Sequence, residues 1–465
     1  MVRMVIVGAG IAGLSAALFA ARRGHEVVLV ERDAARPEGG ADEVFASWRR
    51  PGVPQFRHSH KFLGRAVGVL LEEEPALVAE LLEAGVRKTP VNRFDAGRGE
   101  PAEYALAARR PVFEAVLRRA VERRAGVELV LGRRVTGLRA DRGGDGSVLV
   151  RGVELDDGRR LASGLVVDAS GRRSPVLRRM LGAPLPPAEV QHCGFVYLSR
   201  HYRLSPGREL PPMDRPLALH LGYAAALVFP GDNDTFSLSL TFATEDRLRH
   251  ALRDPRMWDR FVAAVPHTAR WAERGVPRGG VDAMSGIDNR WQRMPAADGP
   301  AIGGLVSIGD AAIQTNPTYG RGAAMALMHA QQLARSAGEA EDDPAGYVAG
   351  FAAWTERHLG VWFRAQLAAD RTGVAKIEAG LRGARHEDAR DPFARLMAGM
   401  EAMASEDEVV GRGLGRMAHL LITPTQLLSD REVVRRVTRR LGETAVPEPR
   451  AQGPSRAEFE SLVAC

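Results

Sequence analysis

Cysteine, lysine and long apolar runs are all scarce in this sequence of 465 residues. The two cysteines, Cys193 and Cys465, match no metal-ligand or redox spacing. Such sparse cysteine is typical of the reducing cytoplasm, where we expect the protein to reside. An apolar stretch up to Ala21 is interrupted by Gly8, Gly10 and Gly13, and no stretch of about 18 uncharged apolar residues occurs elsewhere, so we predict no transmembrane helix. The histidines also lack the spacings of zinc or non-haem iron sites, and we predict no bound metal.

The three lysines, Lys61, Lys88 and Lys376, leave arginine to carry nearly all of the positive charge, which gives a net charge of +7. These arginines are scattered along the chain, and no long basic run is interleaved with aromatic residues. That pattern argues against a nucleic-acid partner. A net positive field still favours an anionic cofactor.

The apolar pattern predicts an α/β protein with an antiparallel sheet inserted into it. A strand–helix–strand unit opens the chain at residues 2–7, 11–23 and 26–31, and a loop rich in Gly and Pro follows at 34–60. Further helices are predicted at 62–86, 111–124 and 321–336, and everything after about 345 is predicted to be helical. Further strands are predicted at 127–138, 147–167, 193–204, 217–242 and 302–309.

This order of elements predicts three parts. Residues 1–190 and 285–340 together form a discontinuous, Rossmann-like cofactor domain, and residues 191–284 form an antiparallel sheet that binds substrate. Residues 345–465 form a helical C-terminal region. Mixed architectures of this kind place a ligand between the two sheets.

The first chemical motif is a glycine-rich turn between the first strand and the first helix. It comprises Gly8, Gly10, Ile11, Ala12 and Gly13. The glycines permit a tight turn, close approach of a pyrophosphate, and packing of the helix on the strand. The helix start then offers free N–H groups to the phosphates. Glu31 ends the next strand, where a carboxylate accepts the hydroxyls of an adenosine ribose. Together these features predict a dinucleotide site.

A second motif, LVSIGDAAIQTNPTYGRG at residues 305–322, selects the dinucleotide. Gly309 and Asp310 follow an apolar strand, and the carboxylate is placed to bind a sugar-alcohol chain. Pro317, Gly320 and Gly322 precede a helix whose positive end suits the negative charge of a reduced flavin. The two motifs together predict non-covalently bound FAD.

This pair of motifs resembles the flavoprotein monooxygenases typified by para-hydroxybenzoate hydroxylase, over roughly residues 1–340. The resemblance implies that FAD activates O2 as a C4a-hydroperoxide and delivers one oxygen atom to a small hydrophobic molecule, by epoxidation or hydroxylation. Loops such as RxGVPQxRHxH from Arg50 to His60 are similar to those of bacterial polyether epoxidases, relatives of squalene epoxidase, which suggests secondary metabolism. Further FAD contacts are expected at Arg32, Arg50, Val53, Arg110, Val135 and Arg321.

The sequence leaves the electron donor and the reaction class open. The family segment GxDGxxS is replaced by DASGRRS from Asp168 to Ser174, so NAD(P)H and a separate flavin reductase are both possible electron sources. A halogenase shares the cofactor fold, but none of the six tryptophans lies in a WxWxIP motif. The same flavin motifs would also suit a dehydrogenase or reductase, or a flavin-binding protein without catalytic activity.

Catalytic and substrate residues are the least determined by the sequence. His58 and His60 flank the flavin loop and either face the isoalloxazine ring or hydrogen-bond the loop to the scaffold. The candidate substrate residues are Gln55, Arg200, Tyr202 and Tyr223. A hydrophobic pocket face is expected from the alternation of Leu219, Leu221, Tyr223, Ala225, Leu227 and Phe229.

Overall fold

The computed structural model describes residues 1–95, 103–213, 216–295, 301–384, 392–443 and 453–464. Cys465 therefore lies outside the described residues, whereas Cys193 is buried. No helix in these ranges combines the length and the apolar character that a membrane crossing requires.

The strands, in chain order, are β1 Arg3–Val7, β2 Glu26–Glu31, β3 Lys61–Phe62, β4 Arg87–Pro90, β5 Tyr104–Ala107, β6 Val127–Leu131, β7 Val135–Arg142, β8 Val148–Leu155, β9 Arg160–Ala162, β10 Leu165–Asp168, β11 Glu189–His192, β12 Phe195–Leu204, β13 Ala218–His220, β14 Ala224–Pro230, β15 Thr235–Ala243, β16 Gly275–Met284, β17 Asp288–Trp291, β18 Ile302–Gly303, β19 Leu305–Ser307 and β20 Ile313–Gln314.

The helices are α1 Ile11–Arg22, α2 Ala41–Ser47, α3 Gly64–Glu73, α4 Pro75–Glu83, α5 Arg110–Arg123, α6 Pro255–Ala264, α7 Pro266–Ala272, α8 Arg321–Ser336, α9 Pro344–His358, α10 Gly360–Leu381, α11 Pro392–Met403, α12 Glu408–Ala418, α13 Pro424–Ser429, α14 Arg431–Glu443 and α15 Arg456–Ala464. Short 3₁₀ turns at Gly309–Ala311 and Pro317–Tyr319 flank β20 and lead into α8.

A parallel sheet of five strands forms the centre of the cofactor part, in the order β19-β10-β1-β2-β6. Its apolar residues divide between two core clusters, because helices α1, α5 and α8 cover one face and the strands β7 and β8 cover the other. Strands that are buried on both faces have nearly continuous apolar sequences. The Rossmann-like core predicted from the first strand–helix–strand unit is confirmed.

An antiparallel sheet in the order β13-β14-β15-β12-β16 forms the inserted part. Alternation along β12 and its partners gives the sheet two different faces. The inner face contains Tyr197, Ser199, His201, Ala225, Leu227, Phe229, Ser237, Ser239 and Thr241. The outer face packs its apolar residues against α6, α7 and the C-terminal helix α15.

Two details of the secondary-structure prediction are wrong. The loop at 34–60 contains helix α2, which begins where the Glu43 carboxylate accepts the Gly40 N–H at 2.7 Å and which buries Val44 and Phe45. The helix predicted at 62–86 is instead the short strand β3 followed by two helices, which Pro75 separates. Proline lacks the N–H that a continuing helix needs.

The predicted pocket face of the inserted sheet also needs correction. Gly222, with a φ of +82°, turns the chain between β13 and β14. Leu219 then pairs with Ala226 on the outer face, while Ala225 and Leu227 lie on the inner face. The alternation is interrupted by this turn, so the residues before and after it do not share a face.

Helix α15 completes the outer core of the inserted sheet. Phe459 is fully buried and packs its ring against Tyr223, Phe242 and Phe261. Helix α15 is therefore part of the same hydrophobic cluster as the sheet.

We predict that Phe459→Ala lowers the free energy of unfolding by about 3 kcal/mol, because it leaves a cavity in this cluster. Urea denaturation measures the loss. The control Val463→Ala removes a partly buried side chain from the same helix and should cost about 1 kcal/mol or less. Equal losses of unfolding free energy in the two variants would contradict the prediction that Phe459 is the main packing residue of α15.

Candidate functional site

The turn between β1 and α1 has the shape that a diphosphate requires. Gly8 has a φ of +103°, and a Cβ there would lie 2.6 Å from the Ala169 carbonyl oxygen. A Cβ on Gly13 would lie 1.9 Å from the Gly8 carbonyl oxygen. A Cβ on Gly10, in contrast, would meet nothing within 4 Å. The first two glycines are required by packing, whereas Gly10 opens onto free space.

The start of α1 faces that same space. No side chain caps the helix at Gly10. Uncapped N–H groups at a helix start bind anions, both through hydrogen bonds and through the helix dipole. The predicted positions Ile11 and Ala12 open the helix here. These features fit the diphosphate of FAD.

Behind the turn lies a buried group of charges. Glu31 Oε2 accepts the Ala9 N–H at 2.9 Å and pairs with Arg50 Nη2 at 2.5 Å. The other end of the Arg50 guanidinium contacts the Ala9 carbonyl and Glu114 Oε2, each at 2.7 Å. Glu114 Oε1 also accepts from Arg110 Nε at 2.6 Å.

Positive and negative side chains alternate in this group, so each buried charge has a partner of opposite sign. Burial opposes ionisation of Glu114, but Arg110 and Arg50 together hold the pKa of its carboxyl below its usual range. Burial likewise opposes the charge on Arg50, yet Glu114 and Glu31 raise its pKa. Arg50 therefore acts on the glycine turn through the Ala9 carbonyl. Direct contacts from Arg50 to a diphosphate and from Glu31 to a ribose stay predictions.

The second motif lies directly against the first. A Cβ on Gly309, whose φ is +57°, would come within 2.8 Å of the Ala12 Cβ. The carboxylate of the next residue, Asp310, lies 3.5 Å from Gln55 Nε2. Burial raises the pKa of Asp310, while Arg110, Gln55 and Arg172 oppose that rise. The fold thus brings Gln55, Arg110 and Asp310 together, as a ribityl site would require.

The loop before α8 combines an open main chain with an anchored arginine. Gly320 has a φ of +65° and leaves the start of α8 without a side-chain cap, close to Gly322. Tyr319 is 42% exposed beside it. The Arg321 guanidinium lies over the Tyr319 ring, 4.8 Å from its centroid, and donates to the Gln366 side chain at 3.2 Å. Any contact of Arg321 to FAD must therefore come from its main chain.

The remaining predicted FAD residues lie on three other segments, and their contacts to FAD stay predictions. Val53 is half-buried in the loop that follows Arg50, and Val135 is buried where β7 begins. The Arg32 side chain is about half exposed and lies across Gly52. The Asp168 carboxylate accepts the Ser170 N–H at 3.0 Å and also bonds the Ser174 hydroxyl, so it closes its own turn.

His58 and His60 hold the loop between the two sheets. His58 Nδ1 lies 3.2 Å from the Ser199 hydroxyl of the inner face, and His60 Nδ1 lies 2.9 Å from the His58 carbonyl. Burial, together with the charge of His201, lowers the pKa of His58 to about 4. Burial and Arg110 lower the pKa of His60 to about 3. Both rings are neutral at physiological pH, which favours the scaffold interpretation over proton transfer.

The four candidate substrate residues are separated by the sheet. Gln55 lies at the inner side, beside Asp310. Arg200 and Tyr202 alternate onto the outer face, where Arg200 pairs with Asp259 at 2.8 Å and Tyr202 accepts from Trp258 at 2.8 Å. Tyr223 donates to the Pro454 carbonyl at 3.0 Å in the same outer cluster. The substrate role predicted for these three is corrected here: they build the outer core.

Lys61 and His419 form a pair that the sequence does not reveal. The Gly64 N–H donates to His419 Nδ1 at 3.0 Å, so a neutral ring carries its proton on Nε2. That proton points to Lys61 Nζ at 3.2 Å, and only an uncharged amine can accept it. Burial lowers the pKa of Lys61 to about 8. A Cβ on Gly320 would lie 3.4 Å from the Lys61 carbonyl oxygen, so the pair adjoins the α8 loop.

Other residues that sequence reasoning missed are Glu114 and a network around Asn316, which joins the α8 loop to Tyr197, Asn289 and Asp370. Asn316 stands inside the second motif, but its partners are distant in sequence. In the described ranges, no group of three or more His, Cys, Asp or Glu side chains could hold a metal ion.

Two family models match parts of the chain. One, described as FAD dependent oxidoreductase, matches residues 3–91, which include the glycine turn, Glu31 and Arg50. The other, described as tryptophan halogenase, matches residues 73–189.

Three curated relatives align over most of the chain. Protein Rv3254 of Mycobacterium tuberculosis is 29% identical over 71% of this chain and 72% of its own length. A putative 2-heptyl-3-hydroxy-4(1H)-quinolone synthase, AqdB1 of Rhodococcus erythropolis, is 28% identical over 71% and 78%. The menaquinone reductase of Mycolicibacterium smegmatis is 27% identical over 69% and 72%.

Solved structures share the fold. PqsL of Pseudomonas aeruginosa, described as a probable FAD-dependent monooxygenase, superposes with a TM-score of 0.56 at 19% identity, covering 81% of this chain and 96% of PqsL. The flavin-dependent brominase Bmp2 superposes with a TM-score of 0.61 at 17% identity, covering 95% and 98%.

The chain is an FAD-dependent oxidoreductase with the fold of the flavin monooxygenases. The resemblance drawn from the two glycine motifs is confirmed at this level. The narrower likeness to polyether epoxidases stays a prediction, as does the role of each predicted FAD contact in this flavoprotein.

We predict that Gly10→Ala weakens FAD binding without destabilising the fold, and that Gly13→Ala destabilises the fold itself. Gly10 has φ −82° and ψ −174°, which alanine adopts freely, so the variant should keep its melting temperature. It should bind FAD at least about tenfold more weakly, because the methyl group enters the diphosphate space. Gly13→Ala should lose about 3 kcal/mol of stability or more, since its methyl group meets main chain. Flavin fluorescence titration and thermal melting measure the two effects. Unchanged FAD affinity in Gly10→Ala would exclude the diphosphate site.

We further predict that Lys61 loses its proton near pH 8 rather than near the ordinary lysine value of 10.5. The Cε shifts of protein labelled with ¹³C-lysine report this, since three lysines give few resonances. Lys61→Arg assigns the signal. Above pH 8 the neutral amine accepts from His419, and below it the added proton has no carboxylate partner among the described residues. A midpoint above 10 would show that His419 donates nothing to it.

Proposed function

We propose that the flavoprotein is a monooxygenase that transfers one oxygen atom from O2 to a small hydrophobic molecule, either as an epoxide or as a hydroxyl group. The observation that supports the proposal is the uncharged centre of the inner face of the inserted sheet, which meets the loops of the predicted flavin site at Tyr197 and Ser199. Its members are hydroxyl, apolar and imidazole side chains, and burial lowers the pKa of His201 to about 4.

The loop from Arg50 to His60 seals the space between this sheet and the cofactor part. His58 bonds Ser199, the Ser237 hydroxyl donates to Ser59 at 2.7 Å, and His201 Nε2 lies 2.9 Å from the Arg57 carbonyl. We infer that these contacts, at three positions on one face, limit the access of water to the region between them. Oxygen-transfer enzymes need such exclusion to protect reactive species from water.

Different groups of the chain then bind different parts of FAD. The start of α1 binds the diphosphate of FAD, and Asp310 with Gln55 binds its sugar-alcohol chain. The uncapped start of α8 stabilises negative charge on the flavin ring. FAD itself supplies the activation of oxygen when it is bound. The chain orients a substrate against it and needs no buried acid–base pair of its own.

The substrate that this arrangement favours is uncharged. On the central strands, β12 from Tyr197 to His201 together with β14 and β15, every inner-face side chain is apolar, a hydroxyl or a neutral imidazole. The charged members of the face lie at its margin, at the end of β12 and on the edge strand β16: Arg203, Arg278 and Asp282. Burying an ionised substrate against such a surface would cost several kcal/mol. The relative named as a quinolone synthase is consistent with a small heteroaromatic or alkyl-substituted substrate. NAD(P)H, directly or through a separate reductase, is the proposed electron source.

Two different functions have specific support. The tryptophan halogenase model and the brominase Bmp2 favour a halogenase, and the menaquinone reductase favours a reductase. A halogenase requires halide for product formation, whereas a reductase requires no oxygen. A flavin carrier without catalysis would show no turnover stimulated by substrate.

We predict that the anaerobically reduced holoprotein, mixed with oxygenated buffer in a stopped-flow instrument, reoxidises in two phases with a transient absorbance between them. An oxygenating flavoprotein must hold activated oxygen long enough to meet substrate. The same experiment with and without bromide or chloride distinguishes halogenation, which would make the second phase depend on halide. A single phase under every condition would overturn the monooxygenase proposal in favour of the reductase.

A further inference from the structure

A closed hydrogen-bond network joins helix α10 to the loop before α8. Asn289, Asn316 and Gln366 are each 0% exposed, and Asp370 is 2% exposed. Its members come from β17, the α8 loop and α10. Because buried amides and carboxylates are costly unless paired, the pairing fixes how these elements fit together.

The Asp370 carboxylate is the acceptor at the centre of this network. Its Oδ1 accepts from Asn316 Nδ2 at 2.9 Å and from Gln366 Nε2 at 2.8 Å. Its Oδ2 accepts from Asn289 Nδ2 at 2.6 Å. The carboxyl group faces three donors and has no acceptor for a proton of its own, which corresponds to the ionised carboxylate. Burial raises the pKa of Asp370, and the three amides oppose that rise.

Asn316 is held on every side. Its N–H donates to Asn289 Oδ1 at 2.7 Å, and its side-chain oxygen accepts from the Tyr197 hydroxyl of the inner face. Tyr197 also lies 2.5 Å from the Thr318 hydroxyl. The residue that opens the turn Pro317–Tyr319 is thus tied to the substrate sheet, to β17 and to α10 at once.

The network also reaches the arginine that begins α8 through a hydrogen bond. Gln366 donates to Asp370 through its nitrogen and accepts from Arg321 Nη1 through its oxygen. One amide therefore bridges a buried anion and a buried cation. Arg321 Nε has no hydrogen-bond partner in the described structure. Keeping an under-bonded cation at this position has a cost in stability. That cost is consistent with a site arranged for geometry rather than for stability alone.

We propose that Asp370 is a positioning residue, which acts from the C-terminal helix α10 through Asn316 to set the main chain of Pro317–Gly320 against the flavin ring. The inference rests on the proposed FAD site but not on oxygen transfer. It makes the flavin environment depend on a residue 54 positions from Asn316 in sequence. Asp370 itself touches neither substrate nor cofactor in this proposal.

The test is Asp370→Asn in the FAD-loaded protein, read without oxygen or substrate. The substitution keeps the volume but turns one acceptor into a donor that faces other donors, so the loop shifts. We expect FAD affinity to fall about tenfold and the visible flavin spectrum to change. We also expect the midpoint potential to fall by about 30 mV, a tenfold loss for a two-electron couple. The fall follows because the start of α8 favours reduced flavin less.

Asp246→Asn is the matched control. Asp246 is 5% exposed and accepts from Leu248 N–H and from Arg456, next to the outer core rather than the α8 loop. It should lose stability while leaving flavin affinity, spectrum and potential unchanged. If Asp370→Asn behaves in the same way, Asp370 is structural only and the proposal is overturned.

Tyr197→Phe decides the matter if Asp370→Asn fails to fold, because it removes one donor from Asn316 and keeps the ring. It should lower the midpoint potential in the same direction by a smaller amount, and no change would refute the proposal. Because these readings are equilibrium properties of bound flavin, they stand whether or not the protein oxygenates a substrate. If neither the wild type nor any of the variants binds FAD, the underlying FAD site is refuted instead.

Discussion

The contact between the β1 turn and helix α1 is the constraint on which the rest of the site depends. Gly13 packs so closely on the Gly8 carbonyl that no side chain fits, and Gly309 packs in the same way on Ala12. The starts of two predicted FAD-binding segments are thereby held side by side. A ligand that spans both must be long and anionic at one end, because one segment offers helix N–H groups and the other a buried carboxylate.

Charge compensation lets this region hold so many ionised groups away from water. Glu31, Arg50, Glu114 and Arg110 alternate in sign, so that each guanidinium or carboxylate meets an opposite charge. Single charges buried without partners would be neutralised instead. The inner face of the inserted sheet differs, because its central strands carry uncharged side chains and its charged residues, Arg203, Arg278 and Asp282, lie at the margin. The contrast distinguishes a highly charged predicted cofactor region from the uncharged centre of the sheet face that meets it.

The sequence predicted those features whose physical causes are local. The spacing of Gly8, Gly10 and Gly13 reflects one turn, and the prediction of helix α8 at 321–336 is confirmed residue for residue. A period of two along β12 puts Arg200 and Tyr202 on one face, but it does not say which face meets the cofactor. Asp370 and Tyr197 were out of reach, because their partner Asn316 is 54 and 119 positions away.

The C-terminal helices therefore help to build both the cofactor part and the inserted sheet. Helix α10 supplies Gln366 and Asp370 to the α8 loop, helix α12 leads to His419 beside Lys61, and helix α15 closes the outer core of the inserted sheet. Each contact reaches a different element of the cofactor and substrate parts. Because buried polar partners must all be satisfied together, moving α10 or α12 would leave unpaired groups near the α8 loop, whereas moving α15 would open the outer core. The geometry around the flavin is thus set by residues that follow both cofactor motifs in the chain.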